Sequence, residues 1–374
     1  MPPTVSSVDV AVVGGGIIGA ACARSAALRG LRVAVFEPGP DPGAASPASA
    51  GMLAAQIEPM DEALLALCVR ARDLHADLAV TLEDTTGIGV RFWREGIASV
   101  ALDDAGADRL RDHAGHQRQA GLRVDWLEPD EVLERWPGVN PDCRGALFAP
   151  EDGAVDPGAL TRALLADARR LGASLLPQRV DRVGVEDHRA LGVTIAGTLV
   201  PCGHVVLAAG AWTPLLPGLG RPVPVEPVRG QMAATPWPQE MPPAILYHDN
   251  CYLLARGGEA MLGSTMERAG FEVRVTNEGL AQIFRSAIDL LPAIAQRPVQ
   301  RMWAGLRPVT PDGAPLVGPD PAVAGLWYAT GHGRNGVLLA ALTGEIIGDL
   351  LSAGTTAVDI ASWSVDRFSA PAQS

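Results

Sequence analysis

The sequence predicts an α/β protein in which a Rossmann-type cofactor-binding domain, a parallel sheet with helices, is interleaved with an antiparallel-sheet α+β substrate domain. Three observations predict it. The opening run Val8 to Glu37, VDVAVVGGGIIGAACARSAALRGLRVAVFE, reads as strand, glycine turn, helix and second strand. Between Arg221 and Arg301 the pattern changes to short alternating strands broken by proline and glycine. Near the end a strand at Leu326 to Ala329, a glycine turn at 331–336 and a helix from Val337 to Leu351 repeat the opening order. With 374 residues, 48% of them hydrophobic, the chain can bury two such domains.

In the opening unit, Val8, Val10, Ala11, Val12 and Val13 form a nearly unbroken apolar run, as in a central parallel strand covered on both faces. Gly14, Gly16 and Gly19 follow in G-x-G-x-x-G spacing. The first permits a tight turn, the second lets backbone approach a pyrophosphate, and the third lets the helix lie close on the strand. The helix begins near Ile17 and points its N–H groups at the phosphates, so no basic side chain is needed there. Gly30 ends it. Leu31 to Phe36 then delivers Glu37, about 20 residues beyond the glycines, where a carboxylate accepts from ribose hydroxyls. A glycine loop serving packing alone leaves Glu37 unexplained.

The next segment, PGPDPGAASPASAGML, is too small-sided for core and too long for a simple turn. Ala45, Ser46 and Ala50 to Met52 can bring backbone against a flat cofactor, with Gly51 taking an unusual dihedral; a surface loop is the bland alternative. Asp61 to Thr85 carries Leu64, Leu67, Cys68, Ala71, Leu74 and Leu78 at helical spacing, a scaffold helix. Arg91 to Leu102 reads as strands, Ala105 to Ala120 as a polar helix and Leu127 to Trp136 as a short acidic one. His113 and His116 on the polar helix have no third ligand nearby, so no metal site is expected. Asp156-Pro157 opens an amphipathic helix to Leu171, and Ala173 to Gln178, Val180 to Val185 and Leu199 to Leu207 follow as strands. The last strand brings Gly210 alongside the first glycine turn, although a packing glycine would look the same. One helix, Asn277 to Leu290, interrupts the alternating region. At the closing glycine turn a helix N-terminus faces a second part of the cofactor; beside a flavin it stabilises the anionic reduced ring, a service no nicotinamide requires.

Composition excludes whole classes of function. A net charge of −12 and pI near 5.0 argue against nucleic-acid and anionic-membrane partners. All 30 basic residues are arginine, which removes lysine Schiff bases, pyridoxal-phosphate lysines and Walker lysines. Cys22, Cys68, Cys143, Cys202 and Cys251 lack C-x-x-C spacing and read as reduced thiols of a cytoplasmic protein. No signal peptide and no membrane-spanning apolar stretch is expected.

Several ordered motifs together resemble the D-amino-acid oxidase family of flavoproteins, most closely its glycine oxidase branch. They are VVGGGIIG at 12–19, SAGML at 49–53, LYHDNCYLLAR at 246–256, GSTM at 263–266, WAGLRPVTPDGAPLVG at 303–318 and GHGRNGVLLA at 331–340. The resemblance spans nearly the whole chain. It implies an FAD-binding domain over 1–86, 145–219 and 305–374, and a substrate domain over 87–144 and 220–304. FAD would be contacted around Gly14, Gly16, Ile17, Ile18, Gly19, Glu37, Pro38, Ala45, Ser46, Ala50 to Met52, Val180 and Gly210, and along His332, Gly333, Arg334, Asn335, Gly336, Val337 and Leu338. No cysteine lies in Trp303 to Pro311, where related sarcosine oxidases tether their flavin, so a noncovalent FAD is implied.

The same resemblance places Arg307 and Tyr252 on the substrate carboxylate, Arg334 beside both flavin and substrate, and Met52 and Met266 in a small apolar pocket. Asn250 stands where a glycine oxidase would have histidine. From the residues alone, Arg307 in GLRP offers a planar fork for a carboxylate, with a structural ion pair as the competing use. Tyr252 has an ordinary sheet tyrosine as its alternative, and both methionines have a plain core role as theirs. No side-chain base is expected, His248 and His332 included. The implied reaction is hydride transfer from glycine, sarcosine or a small D-amino acid to flavin N5, with imine hydrolysis and reoxidation by O₂ to hydrogen peroxide. The alternatives are a broad D-amino-acid oxidase, a dehydrogenase passing electrons to another acceptor, and a binding protein without turnover. Thiamine synthesis and amine catabolism remain open as pathways, and a homo-oligomer as the assembly.

Overall fold

The computed structural model describes residues 8–39, 41–57, 62–249 and 251–369. Strand β1 (Val8–Val13) is central in a sheet with β2 (Val33–Phe36) parallel on one side and Thr198–Leu207 parallel on the other. Leu326–Thr330 and Ser174–Leu176 extend it in parallel, and Leu316–Pro319 closes one edge antiparallel. Val10 and Val12 pack into one core cluster while Ala11 and Val13 pack into another, so both faces of β1 are covered and its sequence has no polar alternation.

Helix α1 (Ile17–Leu28) and the final helix, Gly336–Ala353, lie against each other on one face of this sheet. A Cβ at Gly344 would stand 2.8 Å from the Ala21 carbonyl oxygen, so glycine is what lets the two helices touch. By length and hydropathy the stretch Gly333–Ala353 would suffice to cross a bilayer, which corrects the sequence expectation. Its Leu338, Leu339, Leu342, Ile346 and Ile347 are instead buried core.

A second sheet runs in the order Arg301–Val309, Glu226–Pro236, Glu259–Gly263, Cys251–Arg256, Ile245–His248, Ile97–Ala101, Gly145–Ala149, Asp125–Leu127. Its neighbours are antiparallel except where Ile245–His248 meets Ile97–Ala101. Helix Asn277–Leu290 buries Ile283, Ala287 and Leu290 in the core of this sheet. Gly145–Ala149 pairs in this sheet with Ile97–Ala101 and Asp125–Leu127, and Arg301–Val309 runs unbroken across positions 304 and 305.

Candidate active site

The C-terminal ends of the first sheet's parallel strands and residues of the second sheet line a cavity of about 1050 Å³. Its first end is built by backbone. Gly14 has φ +104°, and a Cβ on it would sit 2.5 Å from the Ala208 carbonyl oxygen. An added Cβ at Gly210 would meet no protein atom within 4 Å. The close approach belongs to Gly14 against Ala208 and Ala209, while Gly210 lines the cavity at φ +54°. Gly19 stands off the cavity; its added Cβ would lie 2.0 Å from Gly14 O, so it serves helix–strand contact alone. Asn250 lies outside the described residues, and every other residue named above for cofactor or substrate lines this cavity.

Glu37 turns its carboxylate back on the glycine loop, accepting from Gly15 N at 2.7 Å and Gly39 N at 3.0 Å. A carboxylate has about four acceptor sites, so room remains for a ribose hydroxyl. Gly15 was not singled out by the spacing rule, yet its N–H fixes that side chain. Ser46, in the short helix Ala45–Ala48, accepts from Ile17 N at 3.0 Å and so takes one of the unpaired donors at the start of α1. The final helix has no side-chain cap at its N-terminus, and Gly336, Val337 and Leu338 at its start line the cavity, which places the positive end of its dipole there. Two helix ends thus present positive potential to one space. This suits a dinucleotide's pyrophosphate and an electron-rich ring, with no lysine required.

The other end is built by side chains from the second sheet. Arg307 donates from Nη1 to the Thr265 carbonyl at 3.1 Å and from Nη2 to Ser264 Oγ at 2.6 Å. Among the described residues it has no carboxylate partner, and burial lowers its pKa from the ordinary arginine value. Gly230, paired with Gly305 across the sheet, makes the space: a Cβ there would lie 2.1 Å from Arg307 Nη1. Tyr252 donates to Met232 Sδ at 3.3 Å, and its ring lies 5.5 Å from that of Tyr247, its cross-strand neighbour. Burial pushes the Tyr252 phenol up to about 12, and also raises that of Tyr247, so both stay protonated donors. Met52 lines the cavity, and Met266 does so at 50% exposure, on its rim rather than in an enclosed pocket. Tyr247, Met232, Ser264 and Gly230 were missed as site residues. Tyr247 had a legible signal, its alternation with Tyr252 across the turn.

His332 is buried at the cavity with Nε2 3.0 Å from Thr343 Oγ1, and burial depresses its pKa to about 3, leaving a neutral ring. His248 lines a smaller neighbouring cavity of about 470 Å³, which shares Tyr247 and Arg334 with the first. His113, the sequence's nearest approach to a metal ligand, contacts Gln56 O at 3.0 Å and Gln117 Nε2 at 2.8 Å. None of the five cysteines lines the large cavity, and Cys251 turns into the core beside Tyr252.

A glycine turn on a parallel sheet, an acid after the second strand, and a side-chain pocket from an antiparallel sheet define an FAD-dependent oxidoreductase. The chain matches the family described as "DAO: FAD dependent oxidoreductase" over residues 9–350, and it belongs to that family. It is 36% identical to the glycine oxidase of Geobacillus kaustophilus (strain HTA426) over 365 residues, covering 96% of this chain and 97% of that protein. It is 35% identical to the bifunctional protein ThiO/ThiG of Trichormus variabilis (strain ATCC 29413 / PCC 7937), covering 92% of this chain and 52% of the relative, so it spans about half the length of that protein. The crystal structure of glycine oxidase from Geobacillus kaustophilus superposes with a TM-score of 0.91 at 34% identity, covering 97% of this chain and 99% of that one.

Proposed function

We propose that the protein oxidatively deaminates glycine and other small amines, such as sarcosine and small D-amino acids, to the imine or 2-oxo acid. One observation carries this reading: a guanidinium, Arg307, lines the cavity beside two protonated phenols with no carboxylate partner among the described residues. Of its five N–H groups two are committed to Thr265 O and Ser264 Oγ, so donors remain for a substrate carboxylate. The glycine oxidase relative at 36% identity supports the amine class.

In this reading the domain division follows the two sheets, and the glycine turn, Glu37 and the two helix ends hold a noncovalent FAD. The chemistry FAD supplies when bound is acceptance of a hydride from the substrate α-carbon, with return of the electrons to O₂ as hydrogen peroxide. Arg307 grips the carboxylate and Tyr252 adds a phenolic donor, which together orient the α-carbon toward the flavin end of the cavity. Arg334 lines both cavities, which suits a place beside both cofactor and substrate. Met52 and Met266 supply apolar surface around a small substrate. No side chain is assigned as base: burial lowers the His332 pKa to about 3, too weak a base to deprotonate an ammonium, and His248 lines the other cavity. The amine therefore reacts in its unprotonated form.

Peroxide release measured across glycine, sarcosine, D-alanine and D-proline tests this reading. Turnover on glycine and sarcosine is expected. Reduction of the flavin by these amines without oxygen consumption would transfer the protein to the dehydrogenases, and no reduction by any of them would end the amine reading.

A further inference from the structure

Arg256 occupies the last position of strand Cys251–Arg256, four residues beyond Tyr252 and on the same face, since strand side chains alternate. Tyr252, Leu254 and Met261 from this sheet share a core cluster with Ala50 and Ala154 from the opposite wall. At the end of that face a single nitrogen of Arg256, Nη2, donates to two backbone carbonyls, Ala50 O at 2.7 Å and Val155 O at 2.7 Å. It forms no ion pair among the described residues. Its Nη1 contacts Met261 Sδ at 3.8 Å, and the Asp156 carboxylate acts on its charge without forming an ion pair; a partly buried cation is costly to keep, so the bonds it makes have to be worth their desolvation.

Those two carbonyls bracket the loop against the cofactor space. Ala50, Gly51 and Met52 line the large cavity. Gly51 has φ +78°, its carbonyl accepts from Val155 N at 2.9 Å, and a Cβ on it would strike Val155 O at 2.1 Å. Val155 in turn leads into Asp156, whose side chain caps the helix Pro157–Arg170, and Gly158, Thr161 and Arg162 of that helix also line the cavity. Arg256 therefore ties two pieces of the cofactor wall to the strand that carries the substrate phenol.

We propose that Arg256 is a positioning residue of the oxidation: it fixes the distance between the Tyr252 and Arg307 wall and the Ala50 to Met52 face of the FAD cavity. The inference rests on the amine-oxidase reading for its kinetic arm only. Arg256 touches neither reacting centre in this scheme, so its loss acts through geometry. Arg256→Met, Arg256→Gln and Arg256→Lys are compared with Val132→Ala, a core truncation in the Pro129–Arg135 helix that serves as a stability control.

With FAD-loaded protein, stopped-flow reduction by the best amine of the panel separates binding from chemistry. The limiting rate of flavin reduction in Arg256→Met is expected to fall about ten- to a hundred-fold, the scale of an ångström-sized misplacement, with substrate Kd changed less than about three-fold. Arg256→Lys, whose ammonium can still reach carbonyls, should recover part of that rate, and Arg256→Gln less. The visible absorbance of bound flavin should shift in the methionine variant and not in Val132→Ala. If Arg256→Met lowers Tm but reduces flavin at the wild-type rate per bound FAD, the residue is only a brace and the proposal is overturned. Should the methionine variant fail to fold, the glutamine and lysine variants decide on the same two readouts. If no amine reduces the wild type, the amine reading fails by itself, and an unshifted flavin spectrum in all three variants would then sink the positioning role independently.

Discussion

The two ends of the cavity are built from opposite materials. At the glycine turn the contacts are backbone: Gly14 presses on Ala208, Gly19 on Gly14, and helix N-termini supply the charge. At the other end the contacts are side chains, Arg307, Tyr252, Tyr247 and Met232, brought from four strands of another sheet. A backbone site tolerates no added atom, whereas a side-chain site can lose a group and still fold. The difference predicts how each end breaks.

Gly14→Ala should have the largest effect, because a Cβ meeting backbone at 2.5 Å with φ +104° has nowhere to go. Protein carrying no FAD, or no soluble protein, is the expected result; normal flavin content in the purified variant would refute the close approach. Arg307→Ala should leave flavin content intact and lower kcat/KM on glycine by roughly 10² to 10³·⁵, the scale of breaking a buried charged pair at about 3 to 5 kcal/mol. Arg307→Lys should recover only part, since an ammonium lacks the fork. Near-normal kcat/KM in fully loaded Arg307→Ala would move the clamp elsewhere, Arg334 first.

Glu37→Gln belongs to the backbone end but changes a side chain, so it tests whether that end owes anything to charge. It removes the charge from bonds to Gly15 N and Gly39 N, and should weaken FAD binding by about 1.5 to 3 kcal/mol with turnover per bound flavin little changed. An unaltered Kd for FAD in equilibrium dialysis would show the carboxylate to be dispensable.

Acid should affect both ends together through two buried histidines. His75 donates to Leu338 O beneath the final helix and His332 sits at the cavity; burial lowers their pKa values to about 4 and about 3. Each folded value lies below the ordinary histidine value of 6.5, so their contribution is fully present above that pH and is lost as pH falls toward the folded values. Stability should decline by about 1.4 kcal/mol per pH unit per histidine below that point, with His75→Gln reducing the slope. Urea unfolding between pH 7 and 5 gives the slope directly, and a flat profile would contradict the neutral assignment.

Gly230→Ala should have the smallest effect, and it is the direct counterpart of Gly14→Ala. Its Cβ would meet Arg307 Nη1 at 2.1 Å, but the end of a long side chain can yield where a backbone carbonyl cannot. Folded, yellow protein with kcat/KM reduced about ten-fold is expected, since the fork is displaced rather than removed. Loss of flavin in this variant would erase the distinction between the two ends.

The sequence by itself determined the backbone end. Strand, glycine spacing, helix and Glu37 are neighbours along the chain, and local sterics dictate what each glycine is for. The closing helix was legible by the same logic, as was the alternating character of the second sheet. Arg307, Tyr252 and the role of each came from motif resemblance, because nothing along the chain brings residue 307 to residue 252. Only the tertiary structure decided that Gly230 opens the space for Arg307, that Ser264 and Thr265 hold it, that the close approach to Gly14 is made by Ala208 rather than Gly210, and that Arg256 ties one wall to the other. The physical reason is that a turn's constraint acts between residues a few bonds apart, whereas a pocket's acts between strands whose register is fixed by hydrogen bonds across the whole sheet.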